Sequence, residues 1–438
     1  MVKTVIVGAG AMGLAAAHYA LKLGHEVDVV EADAVAGGMA AHFDFEGLSI
    51  ERFYHFICKP DAPTFALLED LGIADRLRWR PTSMAYFAKG RLHPWGDPVS
   101  LLTTSLLGPV EKFRYGLQMF LTSRRDAFDD LEGVSARAWI EKGAGRSVYE
   151  KLWRQLMDLK FYQYADDISA AWIATRVRRV GRSRRSLFQE ELGYLEGGSQ
   201  TLVDALVASI ERQGGRVHLA HPVQEIEAYD GRVTGVRTAK GRFDAEAVIC
   251  TVPTPFVPGL VPALPQASKD SYAAIRNIGV ICVVHKLRTP VTPHFWVNII
   301  DPDIEIPGVI EFSNLRPTDE AVVYVPYYMP PDAPKWTAPD EALIAESFSY
   351  LQRINPQLRP EDRIASRVGR LKHAQPVCEP GFAAKIPPIQ TPIAGLQVAD
   401  TCFYYPEDRG VSEGARLARE MAQVIGSSRE PRRQPVFA

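Results

Sequence analysis

Apolar positions along the chain change period several times, and each change marks an element. Thr4 to Val7 is a short β-branched run; glycines follow, then the alanine-rich stretch Leu14 to Leu23, closed by Gly24. A second apolar run, Glu26 to Val30, ends on Glu31. This order predicts strand, helix and strand. Leu202, Leu206 and Ile210 lie at helical spacing within Thr201 to Gln213, and Gly214-Gly215 stops that helix. Strands are expected over 216–219, 223–228, 232–238 and 247–252, with Tyr229-Asp230-Gly231 as a hairpin turn. Near the C-terminus Gly395 to Ala399 reads as a strand ending at Asp400. Tyr405 to Val411 reads as a loop, and Ser412 opens a helix reaching about Ile425.

Between these blocks the pattern differs. Helices are expected over 134–141, 148–159 and 170–180, and strands over 281–286, 295–300, 309–313 and 321–326. Leu101 to Leu107 and Phe113 to Leu121 are apolar, with Lys112, Arg114, Arg124 and Arg125 nearby. That composition suits a helix pair lying on a lipid surface, with an ordinary buried pair as the somewhat better-favoured alternative.

The first block carries the sharpest motif. Gly8-Ala9-Gly10-Ala11-Met12-Gly13 joins the first strand to its helix, a GxGxxG turn inside a βαβ unit. Gly8 permits the tight turn, Gly10 lets a pyrophosphate approach the backbone, and Gly13 lets the helix pack on the sheet. The helix N-terminus offers N–H groups and partial positive charge to phosphates. Glu31, 18 residues after Gly13, is placed to accept hydrogen bonds from ribose hydroxyls, and its charge disfavours a 2′-phosphate. A second glycine pair, Gly37-Gly38, follows six residues later and allows another close backbone approach to a ligand.

Composition narrows the remaining options. At roughly 100–200 residues per domain, 438 residues allow two to three domains. With 46% hydrophobic and 23% charged residues the chain is not a disordered one. Fifty basic against 52 acidic side chains leave a net charge of −2 and no overall attraction to nucleic acid. Cys58, Cys250, Cys282, Cys378 and Cys402 are far apart and form no CxxC pair, so small buried hydrophobes are expected rather than disulfides or a metal site. No run of about 18 apolar residues is present, so no membrane-spanning helix is expected. With no signal peptide before Thr4, the expected location is cytoplasmic, with peripheral contact to the inner membrane face through 100–125.

Gly8 to Gly13, Glu31 and Gly37-Gly38 resemble the N-terminal FAD signature of the flavin amine oxidase superfamily, which includes protoporphyrinogen oxidases, carotenoid desaturases and UDP-galactopyranose mutases. Two departures are visible: Met39 stands where many members have arginine, and Ala399-Asp400 replaces the usual Gly-Asp. The resemblance implies an α/β fold: a Rossmann-like FAD-binding domain with a mixed α+β substrate-binding cap. The FAD domain is expected from 1–90, 190–255 and 370–428, the cap from 91–189 and 256–369, and a disordered tail over 429–438. It further implies that backbone near Val223 holds the adenine, that Asp400 serves the ribityl or phosphate region, and that the helix after Gly410 faces the N1/C2 edge of the flavin. The residues expected to hold FAD are thus Gly8, Gly10, Ala11, Met12, Gly13, Glu31, Ala32, Gly37, Gly38, Met39, Tyr54, His55, Val223, Asp400, Arg409, Gly410 and Val411.

Chemistry beyond the cofactor rests on fewer residues. Mutases of the superfamily have a His-containing aromatic stretch that Tyr54-His55-Phe56 resembles. His55 is a candidate to bond the ring or move protons, or simply to pack beside the cofactor. Tyr327 and Tyr328 are candidates to line the substrate cavity, whereas Trp296 and Tyr324 read as core. Arg176, Arg178, Arg179, Arg182, Arg184 and Arg185 crowd ten residues. Arg176, Arg179 and Arg182 are candidates for a substrate phosphate or anionic lipid, against a solvated helix end. Three functions stay open: an FAD-dependent oxidase or desaturase acting on a small or lipophilic substrate, reoxidised by oxygen or quinone; a non-redox flavoenzyme of the mutase type acting on a phosphorylated sugar; and a flavin-binding scaffold without turnover. No metal or nucleic acid enters any of them.

Overall fold

The structure, a computed structural model, describes residues 1–426; the tail expected to be disordered lies outside the described residues. One sheet is wholly parallel. Lys3–Val7 lies at its centre, with Glu26–Val30 and Arg216–His218 on one side and Ala247–Cys250 and Leu396–Val398 on the other. Val5, Ile6, Val29, Val248, Ile249 and Val398 are fully buried, which is why these strands read as continuous apolar runs rather than alternating ones. Helix Ala11–Lys22 packs against helices Ser199–Arg212 and Val411–Gln423. Strands from three distant stretches of sequence therefore share one sheet. The hairpin expected at 229–231 is present, with Asp230 at φ 49° and Gly231 at φ 71°, the left-handed conformations such a two-residue turn needs.

The second sheet has seven strands, in the order Arg363–Pro376, Asn277–Leu287, Ala321–Met329, Gly308–Glu311, Trp296–Ile299, Met84–Ala88 and Arg91–Trp95. Met84–Ala88 joins this sheet a few residues before the boundary expected at 90, and Arg363–Pro376 runs across the one expected at 370. Alternation sorts its side chains. Val323, Val325 and Tyr327 pack into one core, while Tyr324 packs into another, with Pro326 and Tyr328 facing the cavity described below. Helix Arg154–Phe161 lies against strand Ala321–Met329 and roofs that face. The single helix expected over 148–159 is broken by a π-turn at Tyr149–Trp153.

The apolar stretches at 100–125 form helices Pro98–Thr103 and Pro109–Arg124. Asp97 caps the first by accepting from the Val99 and Ser100 N–H groups, and Glu111 accepts from the Gly108 N–H at the second. They are not buried: Leu102, Val110 and Phe113 are 70%, 71% and 70% exposed. Val99, Leu117, Phe120 and Leu121 are exposed with them.

Candidate active site

A cavity of about 950 Å³ runs between the two sheets, and its lining assembles most of the residues the sequence singled out. At one end lie Gly8, Gly10, Ala11, Met12, Gly13 and Glu31. A Cβ on Gly13 would meet the Gly8 carbonyl oxygen at 2.0 Å, so the helix can start there only with glycine. A Cβ on Gly10 would meet no atom within 4 Å, so the open side of this turn faces the cavity. Glu31 accepts from the Ala9 N–H at 2.7 Å and the Asp33 N–H at 2.8 Å, one per carboxylate oxygen, which fixes the carboxylate and leaves lone pairs for hydroxyl donors. Gly37 at φ 117° and Gly38 at φ 57° bring the second glycine pair onto the first: the Gly37 N–H donates to the Ala9 carbonyl at 2.8 Å.

Beside the glycine turn the lining is built from the C-terminal loop, whose Tyr404 hydroxyl reaches the Met12 sulfur at 3.8 Å. Asp400 is buried and accepts from the Thr254 N–H at 2.6 Å and the Cys402 N–H at 2.8 Å, tying this loop to the central sheet. Gly410 and Val411 begin helix Val411–Gln423. Neither this helix nor Ala11–Lys22 has a side-chain cap, and both N-termini line the cavity. Several cavity-lining polar atoms lack a hydrogen-bond partner among the described residues: His55 Nδ1, Trp153 Nε1, His373 Nδ1 and Asp408 Oδ1. Two uncapped helix ends, an open glycine turn and these orphaned atoms are what an elongated polar ligand would complete, so the residues present fit FAD.

Elsewhere along the cavity the walls turn aromatic. Tyr54 meets Trp296 edge-on with centroids 5.5 Å apart and Tyr324 at 5.8 Å. Phe161, Trp172, Met157 and Leu156 face them from the helical side, and Val280, Cys282, Pro326 and Tyr328 from the sheet. Burial pushes the Tyr54 hydroxyl well above its usual range, with the Tyr328 hydroxyl adding to it. Burial likewise lowers His55, so its imidazole is neutral at neutral pH; nearby Glu51 only partly opposes this. The five cysteines are free and buried.

Some expectations need correction. Tyr327 does not line the cavity; strand alternation turns it into the other core, under Lys335. Ala32 is exposed in the loop after Glu31. Val223 is not in the lining either, although the Ala220 and His221 N–H groups bond the Asp33 and Glu31 carbonyls just ahead of it. Four of the six clustered arginines are paired with carboxylates of the protein itself. Arg176 pairs with Asp408, Arg178 with Glu407 and Arg179 with Asp61, and Arg182 sits at the surface on Asp126 and two carbonyls. Arg176 and Arg179 do line the cavity; Arg182 does not. Trp296, read as core, lines the cavity, whereas Tyr324 is core, its hydroxyl donating to the Glu51 carbonyl at 2.7 Å.

Two features escaped the sequence. Lys160 projects from helix Arg154–Phe161 into the cavity and packs on the Phe161, Trp172 and Tyr328 rings. A lone lysine on an amphipathic helix carries no signal of its orientation. A buried network joins Glu51, His42, Ser199 and Arg316, residues far apart in sequence.

A glycine-turn βαβ unit completed by a distant C-terminal loop defines a dinucleotide-type flavoprotein. The chain belongs to the family of flavin containing amine oxidoreductases, whose model matches residues 13–397, and its cofactor is FAD. It is 26% identical over 279 residues to the 15-cis-phytoene desaturase of Glycine max, covering 59% of this chain and 48% of that protein. The chain thus spans about half the length of the curated relatives it matches. An oxidoreductase from Methanosarcina mazei shares the fold with a TM-score of 0.73 at 21% identity, over 96% of this chain and 99% of that one. A reduced UDP-galactopyranose mutase shares it with a TM-score of 0.72 at 15% identity, over 97% and 95%.

Proposed function

We propose that this protein is an FAD-dependent oxidoreductase of the desaturase or oxidase type, acting on a lipophilic substrate seated among Trp296, Phe161, Trp172, Cys282 and Tyr328. The observation that carries this reading is the single cavity that runs from Glu31, past Asp400 and Val411, into an aromatic chamber. Bound flavin supplies the two-electron acceptor. Glu31 would hold the adenosine ribose, and Gly10 with the first helix N-terminus would hold the pyrophosphate. The uncapped helix N-terminus at Val411 would offer positive potential to a flavin ring placed against it and so favour the negative charge of the reduced ring. The aromatic walls orient the substrate and exclude water, and neutral His55 offers a hydrogen-bond acceptor or donor beside the reacting centre. In the net reaction the substrate would give up two hydrogens, one as hydride and one as a proton, to form a double bond, and oxygen or a quinone would take up both, becoming hydrogen peroxide or a quinol.

The mutase alternative is not adopted: the arginines it would need for a diphosphate are engaged by carboxylates. Among the described residues no helix is long and apolar enough to cross a membrane. The exposed faces of Pro98–Thr103 and Pro109–Arg124 support docking on a lipid surface, from which an apolar substrate would be drawn. The test is anaerobic mixing of the yellow holoprotein with dehydrogenatable polyenes such as phytoene and with porphyrinogens. Bleaching by one of them is expected. A flavin-loaded protein that no such donor reduces would leave the scaffold reading standing in its place.

A further inference from the structure

Two basic side chains of the cavity lining, Lys160 and Arg367, have neither a carboxylate nor a hydrogen-bond partner among the described residues, and of these Lys160 is the one packed on the aromatic wall. Its Nζ lies 5.1 Å from the centroid of Trp172, 5.1 Å from that of Tyr328 and 5.3 Å from that of Phe161. Two more cations share these rings. The Arg409 guanidinium lies 5.7 Å from the Tyr328 centroid and donates to its hydroxyl at 3.2 Å, and Arg176 lies 4.8 Å from the Trp172 centroid. Arg409 also donates to the Ala374 carbonyl at 2.6 Å and has no carboxylate partner within ion-pair distance among the described residues.

The charged and titratable groups facing Lys160 are Arg176, Asp408, Arg409 and Cys378. Burial pushes the Cys378 thiol well up, so it stays neutral. Asp408 is the one carboxylate of the set, and Arg176 binds it at 2.9 Å. Two guanidinium cations and the Lys160 amine therefore face one carboxylate in an aromatic, water-poor chamber. Attraction to an incoming anion is strengthened there and repulsion of a cation is strengthened equally.

We propose that Lys160, Arg409 and Tyr328 form a subsite for an anionic oxygen group, a carboxylate or a phosphate. The substrate then carries that group on an apolar body, and alkylammonium ions are turned away in spite of the family's name. The proposal rests on the reading that the chamber receives substrate. Burial and then the neighbouring Arg176 lower the pKa of Lys160. An arriving anion opposes both effects, so binding draws a proton onto the amine.

The test is calorimetric titration of the purified protein with decanoate, decyl phosphate, decanol and decylamine, with flavin content read separately by absorbance. At least one anion is expected to bind about tenfold tighter than decanol, as for hydrogen bonds to charged groups, and decylamine to bind more weakly than decanol. Lys160→Met should bring the anions to within about twofold of decanol with flavin content unchanged, while Lys160→Arg retains the preference. In buffers of different ionisation enthalpy, decanoate binding should show proton uptake in the wild type and none in Lys160→Met. Equal binding of acid and alcohol, or tightest binding of decylamine, overturns the proposal. A protein without flavin counts against the oxidoreductase reading instead, and the same titrations still decide the charge preference.

Discussion

Gly13 sits so close to Gly8 that a Cβ on it would lie 2.0 Å from the Gly8 carbonyl oxygen, while a Cβ on Gly10 would touch nothing within 4 Å. The two glycines of one motif thus answer to different constraints: Gly13 serves the fold and Gly10 the ligand. Gly13→Ala should lower both the melting temperature and flavin content. Gly10→Ala should leave the melting temperature of the cofactor-free protein within a degree or two, because Gly10 has an ordinary extended φ of −69°, yet abolish FAD retention. Thermal melts of the deflavinated variants beside flavin absorbance separate these outcomes.

Arg316 reaches Glu51 at 3.1 Å, with both side chains buried. Burial pushes the Glu51 carboxyl up, but His42 and Arg316 outweigh it and hold the group below its usual value. Arg316→Met leaves that charge buried beside His42 and the Ser199 N–H. It should cost about 3–5 kcal/mol in urea unfolding, and Glu51→Gln in the same background should return part of the loss.

Glu311 is fully buried, and burial raises its carboxyl to about 7 although the Val291 and Thr292 N–H groups donate to it. The folded protein therefore holds a proton between pH 4.5 and 7 that the unfolded chain has released. Stability from this group is fully present below pH 4.5 and falls as pH rises to 7, by roughly 3 kcal/mol in all. Glu311→Gln should remove that downward slope and make the variant more stable than the wild type at pH 8. Denaturant melts across pH 5–8 measure it.

Phe113 and Phe120 are 70% and 50% exposed on the same helix, with the Arg124 guanidinium over the Phe120 ring. Flotation with anionic vesicles should recover the wild type. Phe113→Ser and Phe120→Ser should each weaken binding on the order of tenfold, leaving turnover of a detergent-solubilised substrate unchanged.

The parts of this molecule that were legible in sequence are those governed by local backbone rules. The GxGxxG turn, the Asp230-Gly231 hairpin and the uncapped helix after Gly410 each follow from what their own residues permit. The parts that were not legible depend on which way a side chain turns within an element already identified. Tyr327 and Tyr328 are adjacent and chemically alike, yet alternation sends one into a core and the other into the chamber. The arginine cluster read as an anion receiver because its partners Asp61, Asp126, Glu407 and Asp408 lie on distant segments. Lys160, solitary in sequence, lies among the aromatic rings of the chamber without such a partner. The exposed 100–125 helices had the composition of either a core or a lipid face, and only tertiary packing distinguishes the two.

The central claim is that one continuous cavity takes one elongated FAD from Glu31 to Val411. Titration of the deflavinated protein with FAD, FMN and riboflavin, followed by flavin fluorescence, tests it most directly. One FAD per chain should bind, at least about a hundredfold tighter than FMN or riboflavin, because only FAD reaches the glycine turn and Glu31. Failure to bind FAD, or equal binding of riboflavin, would contradict it.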